Sequence, residues 1–218
     1  MAMANLFPGW FNRLPLQIAV GFVASGSLVV GGVWYYFTPE YSRVGYEPIQ
    51  PVPYSHETHV SQLGLDCRYC HTGVEQSWYA NIPSPSVCMN CHSQVLVNDA
   101  RLAPIRDSFR SGDPVPWVQI HRTPDFAYFN HAVHVRRGVS CLCCHGEVNH
   151  MTEVRHEKSF TMAFCLNCHR DPAPNLRPLA QVYNLGWTNA PGAQADLGRR
   201  LQRDWNVHPA DQCSRCHR

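Results

Sequence analysis

Lysine is almost absent from these 218 residues: Lys158 is the only one, and the other seventeen basic side chains are arginine. That excludes the lysine-rich patch of a nucleic-acid-binding surface, and the formal net charge of +2 gives no strong field of either sign. Seventeen prolines interrupt the chain, so regular structure is expected to be sparse. Charge is missing altogether from residues 15–37. An uncharged run of that length crosses a bilayer as one helix. It is too long for the core of a cleaved signal peptide and lacks a clear small-x-small cleavage site.

The expectation is an uncleaved transmembrane helix at 15–37, preceded by an N-terminal cytoplasmic segment at 1–14. Trp10 and Phe11 before the run, and Trp34, Tyr35 and Tyr36 at its end, suit the two membrane interfaces. Arg13 puts the N-terminus inside and everything after the helix outside. Gly21, Ser25, Ser27, Gly31 and Gly32 include small-xxx-small pairs that let another helix approach, although glycine is frequent in membrane helices in any case.

Cysteine, by contrast, is abundant, and ten of the eleven fall into one repeated motif. Cys67-Arg-Tyr-Cys70-His71, Cys88-Met-Asn-Cys91-His92, Cys141-Leu-Cys-Cys144-His145, Cys165-Leu-Asn-Cys168-His169 and Cys213-Ser-Arg-Cys216-His217 all spell Cys-x-x-Cys-His. Two thiols three positions apart form thioethers to the two vinyl groups of one porphyrin, and the next imidazole ligates its iron. Structural zinc would need four ligands per ion and gives no reason for a histidine after every pair. A disulfide framework does not explain that histidine either. The reading is five covalently bound haem c. Cys143, the odd cysteine, lies inside the third motif and is expected to be a free, haem-packed thiol of little reactivity. Haem c is attached outside the cytoplasm, which agrees with the orientation read from Arg13.

Some 165 residues must then cover five porphyrins, so the haems are expected to be the main buried apolar mass. The fold class expected is a multihaem cytochrome c, mainly short helices and irregular loops around five haems, with one N-terminal transmembrane helix. Arginine suits bidentate pairing with haem propionates, which also make the loaded protein more acidic than its sequence.

Residues 38–53 hold Pro39, Pro48, Pro51 and Pro53 and no helical period, which reads as an extended linker. An internal repeat follows. Tyr54-Ser-His56-Glu-Thr-His59-Val60, then Gly64 and Cys67, matches Phe129-Asn-His131-Ala-Val-His134-Val135, then Gly138 and Cys141. Residues 54–128 form a first two-haem unit and its connection, 129–170 a second, and 171–218 a C-terminal segment with the fifth haem. Histidines at i and i+3 of a helical turn leave from neighbouring positions yet diverge enough to serve two irons.

This arrangement resembles the class III multihaem cytochromes, where such a His-x-x-His supplies sixth ligands to two haems. The resemblance implies His56 on the haem of Cys67 and Cys70, and His131 on the haem of Cys141 and Cys144. His59 and His134 would serve other haems, most simply the second of each unit.

A further likeness runs through Cys67-Arg-Tyr-Cys-His-Thr-Gly-Val-Glu75, Ile82-Pro83, Cys88-Met-Asn-Cys-His-Ser-Gln94, Gln119-Ile-His121 and Tyr128-Phe-Asn-His131. It continues in His145-Gly-Glu-Val148, Met151 and Met162-Ala-Phe-Cys-Leu-Asn-Cys-His-Arg170, weakens over 171–212 and returns at Cys213. These segments resemble the pentahaem cytochrome c component of alternative complex III, a bacterial quinol-oxidising complex. The resemblance implies partners: an iron-sulfur subunit, integral membrane quinol-binding subunits, and a monohaem cytochrome, copper protein or terminal oxidase as acceptor.

For the fifth distal position His121 is the first choice, because it lies in the family-like segment, and Met151 is the rival. His208 stands too near Cys213 to wrap round its own haem, and His150 and His156 are expected at the surface or on propionates. Leu197, Leu201 and Trp205 make an amphipathic pattern over Ala193 to Asn206, read as packing. Irons with two protein ligands leave no position for a substrate, so the expected role is electron transfer, with no catalytic residue. A multihaem reductase would need an open iron or a lysine-ligated motif, and Lys158 lies in none. The other alternative is a stand-alone quinol dehydrogenase of the small tetrahaem anchor type, whose first motif follows its helix closely, unlike residues 38–66 here.

Overall fold

The computed structural model describes residues 7–37 and 43–217, which divide into two units, Met1–Arg43 and Val44–Arg218. Parts of the expected segments at 1–14 and 38–53 therefore lie outside the described residues.

In the first unit a 3-10 turn, Gly9–Arg13, leads into α1, Leu14–Phe37. Pro15 stands in the first turn of α1, where its missing N–H leaves no bond unmade. From Gly9 to Tyr36 the segment is long and apolar enough to cross a membrane by length and composition. Its apolar side chains are exposed around the helix, Phe22 to the extent of 81%.

The second unit has no strand among the described residues, only isolated bridges between Ala127 and His217 and between Val139 and Leu176. Among the same residues eight short helices alternate with loops: α2 Cys67–Cys70, α3 Pro85–His92, α4 Ala103–Ser111, α5 His131–Val135, α6 Cys141–His145, α7 Met162–Arg170, α8 Gln194–Asp204 and α9 Cys213–Cys216. Local chemistry starts several of them. The Asp66 carboxylate accepts from the Arg68 amide ahead of α2, Asn130 caps α5, Thr161 caps α7, and Pro85 opens α3.

Buried aliphatic side chains are few for a unit of this size. One cluster joins Val52, Ile105 and Val115, another Val74, Val135 and Val182. After a turn at 43–45, residues 46–53 have no regular structure and bend at 51–52, and the segment packs as part of the unit: Val52 is buried, Gln50 exchanges two hydrogen bonds of 2.9 Å with the backbone of Val118, and Tyr46 and Gly45 bond the backbone of His156. Against the first motifs and elsewhere, large apolar side chains such as Trp78 and Met162 stand exposed to the extent of 67% and 66% of their surface. The protein supplies walls, and the apolar filling has to come from elsewhere.

Candidate haem-binding site

All five motifs fold alike. Each cysteine pair spans one helical turn, in α2, α3, α6, α7 and α9, and the histidine follows at the turn's end, its amide bonding back to the first cysteine carbonyl at 2.8 Å in the first and fifth. One turn thus presents two thiols and an imidazole to the same side. None of the eleven cysteines is in a disulfide.

The imidazoles meet in twos. His56 and His71 lie with ring centres 6.4 Å apart and planes within 4° of parallel. His131 and His145 repeat this at 6.4 Å and 3°. His59 faces His92 at 6.3 Å and 61°, and His134 faces His169 at 6.1 Å and 41°. Two imidazoles on opposite sides of one metal ion, with metal–nitrogen bonds of about 2 Å, put their ring centres about 6.3 Å apart. A thin planar group fits between each pair; direct ring stacking would be closer. The His-x-x-His turns that carry the distal members differ in detail. The first is a π-helical turn, Glu57–Gln62, with His56 at its cap; the second is α5.

Hydrogen bonding supports the same fit. A metal-bound imidazole donates its other ring N–H to a fixed acceptor. Here Nδ1–H of His71 donates to the Asn81 carbonyl at 2.7 Å, His92 to Val95 at 3.1 Å, His59 to Ser55 at 2.8 Å and His131 to Trp78 at 2.8 Å. His134 donates to Asn130 at 2.7 Å, His169 to Ala210 at 2.6 Å and His217 to Phe126 at 3.2 Å. Each bond leaves Nε2 bare, with its lone pair available to iron. His56 is different: its buried Nδ1 has no hydrogen-bond partner among the described residues. Asn81 adopts φ 74°, and this left-handed backbone turns its carbonyl to His71.

Burial, with His71 and His59 adding to it, pushes His56 down to about 4, and burial with His121 and His131 holds His145 well below the usual imidazole value. Both rings are neutral at neutral pH, the state that ligates. Burial raises the Cys143 thiol, which donates to the Asn175 carbonyl at 3.9 Å, so it is a protonated, half-buried group.

The remaining candidates sort by position. His121 packs 4.4 Å edge-to-face on His145 and 5.3 Å from His156, beside Phe160, so it belongs to the surroundings of the third motif. Met151 is buried, 4% exposed, with its carbonyl accepting from Glu57 beside the first His-x-x-His. The ring that packs on His217 is Phe126, at 5.6 Å. His156 is corrected: it is not a surface residue but 1% exposed, enclosed by His121 and Phe160. His150 is exposed and lies near Ser61, and His208 Nε2 meets the Asn206 side chain at 2.8 Å. Leu197, Leu201 and Trp205 are half-buried along and just beyond α8, while Gly198 is the buried residue of that helix.

The motifs are neighbours in an order unlike their order in the chain. Tyr69 and Asn90 tie the first to the second by a 3.0 Å bond, and the Cys88 and Cys91 thiols are among the groups that raise Cys70. The first and third are joined where the His131 and Ala132 amides bond the Trp78 and Ser77 carbonyls, and there the Cys67 and Cys141 thiols, one from each unit, act on each other, lowering Cys67 and raising Cys141. Asn175 joins the third and fourth, accepting from Cys143 and donating to Cys168 Sγ at 3.5 Å. The fourth meets the fifth where His169 bonds Ala210 and where Cys216 adds to the upward shift of Cys165. The row reads second, first, third, fourth, fifth.

Short helices, five Cys-x-x-Cys-His turns and paired imidazoles make the kind of scaffold that a multihaem cytochrome c has, and their residues fit covalently bound haem c. Residues 127–218 match the family model described as cytochrome c7 and related cytochrome c. The chain is also similar to the multihaem cytochrome c subunit of the menaquinone reductase of Nitratidesulfovibrio vulgaris, 28% identical over 169 residues that cover 77% of this chain and 67% of that protein.

Proposed function

We propose that this chain is a membrane-anchored pentahaem cytochrome c that conducts electrons within a quinol-oxidising complex of the alternative complex III kind, with its haem domain on the periplasmic side. The four imidazole pairs at axial-ligand spacing carry the reading. Haem c gripped on both faces exchanges one electron and offers no open position to a substrate.

The chain's own residues do the rest. The ten motif cysteines fix each porphyrin, and His71, His92, His145, His169 and His217 are the proximal ligands. His56, His59, His131 and His134 would be the distal ligands of the first, second, third and fourth haems, whereas His121 and Met151, the expected rivals for the fifth, lie beside the third motif and the first His-x-x-His. The carbonyls on Nδ1 hold the rings in place. The row of motifs gives one unbranched path whose ends are the second and fifth haems, and partners at those ends set the direction.

The relative belongs to a menaquinone reductase, which supports a quinone-linked path. Iron-sulfur and integral membrane quinol-binding subunits would face one end, and a monohaem cytochrome, copper protein or terminal oxidase the other. The test compares the complex isolated from membranes with the isolated chain. Menaquinol is expected to reduce the haems in the complex and leave the isolated chain oxidised. Prompt reduction of the isolated chain would replace this reading with a stand-alone quinol dehydrogenase, and nitrite or hydroxylamine turnover at a five-coordinate haem with a reductase.

A further inference from the structure

In each repeat unit one aromatic ring that ligates nothing touches both histidines of its His-x-x-His: Tyr54 and Phe129, two positions before each turn. The Tyr54 ring stacks on His59 at 4.4 Å and 24°, and meets His56 edge-on at 4.9 Å and 88°. Phe129 repeats the arrangement, 4.4 Å and 29° on His134, and 4.7 Å and 88° to His131. One rigid ring therefore touches both imidazoles of its turn, flat on one and edge-on to the other. Nδ1 of His59 and of His134 is held at one point by the carbonyls of Ser55 and Asn130, and a single hydrogen bond still lets a ring tilt. The aromatic face removes that freedom.

The contrast carries through to the proximal side. Distal rings met edge-on lie parallel to their proximal partners, at 4° and 3°; distal rings stacked on the aromatic cross theirs, at 61° and 41°. The same pattern arises with tyrosine in one unit and phenylalanine in the other, so the ring and not the hydroxyl makes it.

We propose that Tyr54 and Phe129 are positioning residues that set the planes of His59 and His134, the rings they stack on, and so divide the haems into two electronic classes, one of each class in each unit. This rests on the axial-ligand reading above. An imidazole donates π density to the iron dπ orbital perpendicular to its plane. Parallel rings act on the same orbital and split the dπ pair; crossed rings act on both and leave the pair nearly equal in energy. Oxidised low-spin iron of the first kind gives a rhombic resonance. The second kind keeps orbital angular momentum, and its largest g value rises. The axial ligands are the lever, and the aromatic ring outside them sets their angle.

The experiment is electron paramagnetic resonance of the full-length, haem-loaded chain in detergent, fully oxidised. Wild type should show two rhombic low-spin signals from the first and third haems and two with raised largest g, the second haem above the fourth. Tyr54→Leu should shift only the signal of the second haem, and Phe129→Leu only that of the fourth, with haem content and the low-spin state kept. Tyr54→Phe and Phe129→Tyr should reproduce the wild-type spectrum. Unshifted g values in fully loaded Leu variants, or a shift in the Tyr54→Phe and Phe129→Tyr variants, would overturn the positioning role. Four wild-type signals of one class would overturn the two-class claim even where a Leu variant loses its haem. High-spin signals from these four haems in wild type would instead overturn the axial-ligand reading beneath it.

Discussion

His59 and His134 show how much rests on single side chains. Each reaches a proximal histidine from the other motif of its unit, at 6.3 Å and 6.1 Å. Alanine at either position removes a ligand without touching the thiols that hold the haem. Each variant is expected to retain all five haems while one low-spin iron becomes high spin, seen in the absorption and paramagnetic resonance spectra; an unchanged low-spin count would withdraw that histidine from its role. The attachment residues are legible from spacing alone, since Cys-x-x-Cys-His folds within one turn and needs no tertiary context. The distal pairs are legible only through the repeat and the resemblance to class III cytochromes, and the ring geometry supports them. The second-sphere acceptors are not, because Asn81, Val95 and Ala210 act through backbone carbonyls that any residue carries. The burial of His156 escapes the sequence for a related reason: it comes from Phe160 and His121, which approach only in the folded chain.

Among the elements, α8 is held by close approach. A Cβ on Gly198 would stand 1.8 Å from the Ala173 carbonyl oxygen, so backbone, not a yielding side chain, blocks it. Gly198→Ala is expected to cost about 1–3 kcal/mol by overpacking, seen as a fall of several degrees in the Tm of the haem-loaded protein. Gly138 closes the second His-x-x-His turn at φ 80°, with the Arg177 oxygen 2.5 Å and the Trp205 ring 2.8 Å from where its Cβ would be. Gly138→Ala adds left-handed strain of about 1–2 kcal/mol to that clash, so it should lower Tm as well and disturb the third and fourth haems before the first and second. The amphipathic period over α8 is readable from Leu197 and Leu201, but the glycine that seats the helix is not. An isolated glycine in a helix looks like a weak point until its neighbour is known.

For the whole molecule the governing feature is the row of motifs. Sequence order would run from the first to the fifth, yet the bonds of His131 and Ala132 to Trp78 and Ser77, and of Tyr183 to Glu75, place the two haem units with their first motifs together and their second motifs outward. No local pattern encodes that, because it depends on how the loops between units fold. The consequence is a break point. Cys141→Ala with Cys144→Ala removes the third haem and separates the second and first from the fourth and fifth. Rapid reduction of this variant in its complex is expected to reach two of the four remaining haems in the fast phase, measured by stopped-flow absorbance. A fast phase covering all four would mean the row is not the path. Ion pairs such as Arg68 with Asp66 at 2.8 Å and Arg122 with Asp125 at 2.8 Å join largely exposed side chains close in sequence and contribute little to stability.

Everything proposed for this chain depends on porphyrins tethered at five places, so the intact mass of the purified chain, read with its iron content, is the most direct measurement. The expected result is the polypeptide plus five covalently attached haems and five irons. A mass equal to the bare polypeptide, or zinc in place of iron, would contradict the account at its base.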